Sequence, residues 1–244
     1  MTDGAAFDHL IHWVDDLESA TAGYDALGLT THAAVTLPGF RNAAWGIDDE
    51  RYVELAVVDD WDAVTRSKYA RGIELLTPAI DRLGGPGLLT FGVDVPDARA
   101  TAEELRAVGR DVVVDEVWFE DRNGGFVEVY VRDAPSYFPF FITYQPPRVE
   151  LARMRAEHRA EQGLTRPPDA PDLVALLVRS PAPQDEARAL GELIGCPVDG
   201  AVVDLPGAQV RFEPGGPAGL YGIVVRGLTS PDEASIAGIT VLPG

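Results

Sequence analysis

Glu54 stands in the middle of the apolar run Tyr52-Val53-Glu54-Leu55-Ala56-Val57-Val58. A carboxylate in such surroundings is costly to bury alone, so it must face a cation, a hydrogen-bond donor or a wet cavity. In a cavity it can serve as a general acid or base. His9 is the second polar residue of interest, within Phe7-Asp8-His9-Leu10-Ile11-His12. Two-residue alternation puts Phe7, His9 and Ile11 on one strand face and Asp8, Leu10 and His12 on the other. A lone imidazole there can equally be satisfied by a neighbouring carbonyl and carry no chemistry, and His12 on the opposite face is expected to pack under the following helix. Trp45, Trp118, Phe138, Phe140, Phe141 and Tyr144 are candidate pocket walls, two or three of them reaching a cavity, since strand aromatics more often belong to the core. No Ser-His-Asp arrangement, helical zinc motif or dinucleotide fingerprint is present. The single Cys196 excludes an internal disulfide and a cysteine metal cluster, and reads as a small core residue.

The elements that must position these side chains are written as a repeat. A short apolar run, an acidic or Pro-containing helix start, an Ala-rich helix and a Gly occur at Phe7 to Gly28, again at Leu88 to Gly109, and more faintly at Val174 to Gly195. The first two copies align without a gap, so His9 falls on Thr90 and Gly28 on Gly109, whereas the third copy has Leu176 at the His9 position. In the first copy Asp15 or Asp16 caps a helix carrying Leu17, Ala20, Tyr24 and Leu27 on one stripe. Strands are expected at Leu29 to Val35, Arg41 to Ile47 and Arg51 to Val58. A helix is expected from about Asp60 to Leu83. The second copy continues with Asp111 to Phe119, Gly125 to Val131 and Phe138 to Tyr144.

The units read βαβββ. One unit cannot bury both faces of its sheet, so the fold class is α+β, with paired units forming a cupped mixed sheet, helices outside and a third unit appended. Expected boundaries are residues 1–147 for the paired units, 148–171 for a charged helix and the linker QGLTRPPDAP, and 172–244 for the third unit, whose strands include Ala201 to Leu205, Ala208 to Glu213 and Leu220 to Val225. The concave sheet face is the expected ligand site. The 46% hydrophobic and 24% charged content over 244 residues is that of an ordered globular chain. Its net charge of −19 would repel nucleic acid and anionic membranes, leaving a small molecule as the expected partner and a homodimer compatible with the sequence. Short apolar runs and an N-terminus without a basic-then-apolar pattern point to the cytoplasm.

With Asp8-His9-Leu10, Asp15-Asp16-Leu17, Asn42, Tyr52-Val53-Glu54-Leu55 and Pro139-Phe140-Phe141-Ile142 in this order, the chain resembles the vicinal oxygen chelate superfamily, and within it glyoxalase-like proteins. The resemblance implies a divalent metal held by first-strand and fourth-strand residues of two units. His9 and Glu54 match the first-unit ligand positions. Thr90 and Thr143 stand at the second-unit positions, where threonine is a poor ligand, so the metal site is degenerate unless His32 or Glu128 joins it. The resemblance further implies isomerase, lyase or ring-opening oxygenase chemistry on an oxygen-rich organic substrate. His9 and Glu54 then either hold metal or act directly as an acid-base pair, with Thr90, Thr143, Trp45, Trp118, Phe141 and Tyr144 shaping the pocket. The competing reading is a protein that binds or sequesters a small molecule without turnover.

Overall fold

A computed structural model describes residues 4–120, 123–161, 166–228 and 232–244. Residues 1–3 of the N-terminus, 162–165 of the expected linker and 230–231 of the tail lie outside the described residues. The first unit comprises β1 (Ala6–Trp13), α1 (Leu17–Ala26), β2 (Thr31–Leu37), β3 (Phe40–Gly46) and β4 (Tyr52–Val58). Asp16 caps α1 by accepting from the Ser19 amide at 2.8 Å, and Gly28 follows the helix at φ 78°, a conformation that favours glycine. The expected long helix is broken into α2 (Trp61–Val64) and α3 (Ala70–Leu83). Thr65 ends the first piece, and the Ser67 hydroxyl accepts from the Tyr69 amide in the intervening turn.

The second unit comprises β5 (Gly87–Asp94), α4 (Ala98–Ala107), β6 (Val112–Phe119), β7 (Gly124–Val131) and β8 (Phe140–Gln145). The two units form one eight-stranded mixed sheet in the order β2-β3-β4-β1-β5-β8-β7-β6. At its centre β1 and β5 run antiparallel, and each pairs in parallel with the last strand of its own unit, β4 or β8. Helices α1 and α4 lie against one face of this sheet. The other face is the cup.

After α5 (Arg148–Glu161) the chain enters β9 (Asp172–Ser180), α6 (Pro183–Ile194), β10 (Val198–Asp199), β11 (Val202–Val203), β12 (Gln209–Pro214), β13 (Gly219–Arg226), β14 (Ala234–Ile236) and β15 (Ile239–Pro243). These strands form a second, seven-stranded sheet. Its β12 pairs in parallel with β9 as β4 does with β1, so the third unit is already closed before Leu220 to Val225. That segment, expected to end the third unit, instead lies in β13, antiparallel to β9 and parallel to β15, as β5 is to β1 and β8. The second sheet thus contains a shortened fourth unit with no helix among its described residues, invisible to a search for the strand-helix signature.

The helix-bearing faces of the two sheets share one apolar core, with Leu10, Tyr24, Phe91, Leu176, Val210 and Ile223 all essentially inaccessible. His12 belongs to this side. Its ring nitrogens meet Tyr24 Oη at 3.0 Å and the Ala237 carbonyl at 2.9 Å, and burial lowers its pKa to about 4.

Candidate active site

The register around His9 departs from simple alternation. Irregular pairing between Phe7 and His9 sends Phe7 into the shared core with Leu10, while His9, Ile11 and Trp13 face the cup. Phe7 therefore does not share the His9 face, in contrast to the expectation from two-residue periodicity. The same irregularity lets neighbouring side chains meet: Asp8 Oδ2 lies 2.6 Å from His9 Nδ1. Asp8 also accepts from the Tyr144 hydroxyl at 2.6 Å and lies 3.5 Å from the Arg148 guanidinium, which donates to the Phe7 carbonyl at 2.8 Å. The arginine offsets the cost of a carboxylate that is only 1% exposed.

The other nitrogen of His9 faces Glu54, with Nε2 3.8 Å from Oε2. Asn42 on β3 accepts from the Val35 amide at 2.6 Å and donates its amide to Glu54 Oε1, so the carboxylate is oriented by a side chain that is itself held. The imidazole stacks on Tyr52 at 4.7 Å between ring centroids and meets the edge of Phe140 at 5.4 Å. Burial works against a charged imidazole here, but Asp8, Glu54 and Glu128 together outweigh it and raise the His9 pKa.

Glu128 reaches this cluster from β7. It accepts from Tyr130 at 2.8 Å and lies close enough to His9 and Glu54 to feel both charges. Burial is the largest influence on it and, with Asp115 and Glu54 and against Tyr130 and His9, pushes its pKa up to about 7. Asp115 is its cross-strand partner on β6, and burial raises that carboxyl as well.

The cup holds a half-open cavity of about 890 Å³. Its floor carries His9, Asn42, Glu54, Glu128 and Tyr144, while Tyr69, Gly72, Ile73 and Leu76 from α3 and its approach close one side. Arg155, His158 and Arg159 on α5 form part of its wall, with His32 from β2 also lining it. Burial, followed by the charges of Arg155 and Arg159, lowers the His32 pKa.

Of the expected pocket residues, Tyr144 lines the cavity together with His9 and Glu54. Trp45 and Phe141 point the other way, into the shared core, because odd and even positions of β3 and β8 face opposite sides. Thr90 is buried with its hydroxyl donated to the Phe138 carbonyl at 2.6 Å, and it lies outside the cavity lining. Thr143 braces the start of α4, donating to the Val95 carbonyl and accepting from the Ala98 amide. With the half-exposed Trp118 it lines a separate cavity of about 380 Å³, whose wall also includes Tyr144.

The strand pairing also corrects which residue matches Glu54. Ile11 lies opposite Glu54, and its second-unit copy Gly92 lies opposite Phe140, so Phe140 and not Thr143 is the counterpart of Glu54. The second-unit ligand positions are therefore a threonine already committed to a carbonyl and an apolar ring against His9. Neither position supplies a metal ligand; the second unit's carboxylate in the cup is instead Glu128 from β7, and His32 lines the cavity from β2. Among the described residues, no three His, Cys, Asp or Glu side chains converge as a metal site.

Sequence reasoning missed the contributions of Asp8, Arg148 and Tyr130, and gave Asn42 no role. The run Asp8-His9 was a usable signal for the first, since a carboxylate beside an imidazole at a bulge can orient it. Arg148 had none, because the helix that supplies it begins far along the chain.

The glyoxalase-like domain family model matches residues 7–213. No curated protein matches the chain. Among solved structures, a hypothetical protein from Staphylococcus aureus superposes with a TM-score of 0.77 at 17% identity, covering 98% of each chain. The Mn(II)-bound glyoxalase from Novosphingobium aromaticivorans gives a TM-score of 0.52 at 12% identity over 91% of this chain and 65% of that one. A methylmalonyl-CoA epimerase from Mycobacterium tuberculosis aligns over 56% of this chain and 86% of that chain, at 23% identity and a TM-score of 0.41. The repeated sheet, the cup and the family match agree: the chain belongs to the glyoxalase-like domain family, within the vicinal oxygen chelate superfamily.

Proposed function

We propose that the cup catalyses proton transfer on a small oxygen-bearing organic molecule, as an isomerase or lyase that relies on its own side chains. The observation that carries this reading is the convergence of Glu54, His9 and a Glu128 carboxyl of pKa about 7 on one half-open cavity. Groups whose environments separate their protonation states are what acid-base chemistry at neutral pH requires.

In this reading Glu54, oriented by Asn42, removes a proton from the carbon next to a substrate carbonyl. His9, whose charged form Asp8 and its other acidic neighbours favour against burial, donates through Nε2–H to the oxygen on which charge develops. Glu128, still partly protonated near neutrality, gives a proton to the carbon as the proton on oxygen returns to His9. Tyr52 and Phe140 hold the imidazole plane while this happens.

Sequestration without turnover is the competing reading, supported by the aromatic cavity lining of Trp13, Phe40, Tyr69, Phe126 and Tyr144. Incubation of the protein in heavy water with a panel of carbonyl compounds separates the two. Deuterium appearing at the carbon next to the carbonyl supports proton transfer, whereas tight binding without deuteration of any compound supports sequestration.

A further inference from the structure

Three arginines line the cavity, Arg51, Arg155 and Arg159, in a chain whose net charge is −19. Two of them are neutralised in place. Arg51 pairs with Asp48 at 2.6 Å and Asp172 at 2.8 Å, and Arg159 pairs with Asp49. Arg155 differs: among the described residues its guanidinium donates to the Asp49 carbonyl at 3.1 Å and lies over the Tyr52 ring at 5.6 Å, with no carboxylate partner. Tyr52 is the ring on which His9 stacks, so this cation stands one side chain away from the acid-base cluster.

We propose that Arg155 binds the carboxylate of the cavity's ligand, which is therefore an organic acid whose remaining oxygens reach His9 and Glu54. A planar guanidinium with most of its donors uncommitted matches a carboxylate in a two-point contact. One unneutralised cation suits a single negative charge, and the acidic floor of Glu54, Glu128 and Asp115 opposes a second one deeper in the cavity. The positive field of Arg155 already reaches into the cavity at His32, which provides a reporter of its neutralisation.

The proposal rests on the reading of this cavity as the reaction site, and its test keeps the two apart. A set of 2-oxo and 2-hydroxy carboxylic acids, each alongside its methyl ester, is titrated into the full chain and into Arg155→Met and Arg155→Lys. At least one acid is expected to bind about tenfold more tightly than its ester. Arg155→Met should remove that preference without changing ester affinity, and Arg155→Lys should restore part of it. Binding of the acid should also raise the His32 titration midpoint followed by NMR. Equal affinity for acid and ester, unchanged acid affinity in Arg155→Met, or no binding of any acid overturns the proposal. Arg155-dependent binding without deuterium exchange would overturn the catalytic reading alone, whereas exchange that is indifferent to Arg155 would overturn this inference alone.

Discussion

His9 is held between two carboxylates, its Nδ1 2.6 Å from Asp8 Oδ2 and its Nε2 3.8 Å from Glu54 Oε2. The shorter contact orients the ring, while the longer one leaves space beside the nitrogen that faces the cavity. Asp8 in turn is held by Tyr144 and Arg148, so the geometry of His9 depends on β8 and α5 as well as on its own strand.

Asp8→Asn should lower the His9 pKa, measured by NMR titration of the ring. His9 is raised in the folded state, so its stabilising contribution is complete below the unfolded value of about 6.5 and is lost as pH rises through the folded value. The variant should accordingly lose about 1–2 kcal/mol in urea unfolding at pH 5 and less at pH 8.5. A larger deficit at pH 8.5 would contradict the assignment.

Glu128→Gln should have an effect of opposite sign, at the alkaline end of the range. A carboxyl raised to about 7 burdens the fold increasingly between its unfolded pKa, near 4.5, and that value. The glutamine variant should match wild type at pH 4 and gain about 3 kcal/mol at pH 8. An equal difference at both pH values would show that packing, not charge, is responsible.

Gly92→Ala tests how closely the cup is built around His9. A Cβ at this position would lie 2.9 Å from both Cε1 and Nδ1 of the ring, against a neighbour fixed by Asp8, Tyr52 and Phe140. The expected result is a loss of about 1–3 kcal/mol and a displaced His9 resonance. Wild-type stability with an unmoved ring would refute the crowding.

Removal of metals should leave proton transfer intact, because Phe140 and the committed Thr90 occupy the second-unit ligand positions. Deuterium exchange after extensive chelation should stay within about twofold of the untreated rate, a change under 0.5 kcal/mol in barrier. A large loss reversed by Mn²⁺ would assign a metal role that this donor set does not predict.

The βαβββ repeat and the Glu54 signal were legible in the sequence because strand alternation, the Asp16 cap and a carboxylate in an apolar run are local features. The irregular pairing at Asp8 was not. A single register shift rearranges which side chains share a face, and the same kind of error placed Thr143 where pairing puts Phe140. Strand alternation alone does not say which face of β3 or β8 meets the cavity, so it does not separate Trp45 and Phe141 from true pocket walls. The amphipathic pattern of α3 announced a helix but not that it would close the cup. The shortened fourth unit carries no helical signature in its sequence, and Arg155 meets Tyr52 only through tertiary packing.

Glu54→Gln most directly tests whether the first unit carries the chemistry. With a compound that wild type deuterates, exchange rate and binding affinity are measured on the same samples at pH 7. The predicted result is a fall in rate of about 10²-fold or more, with affinity changed by less than about threefold. Exchange at the wild-type rate in Glu54→Gln would contradict the account.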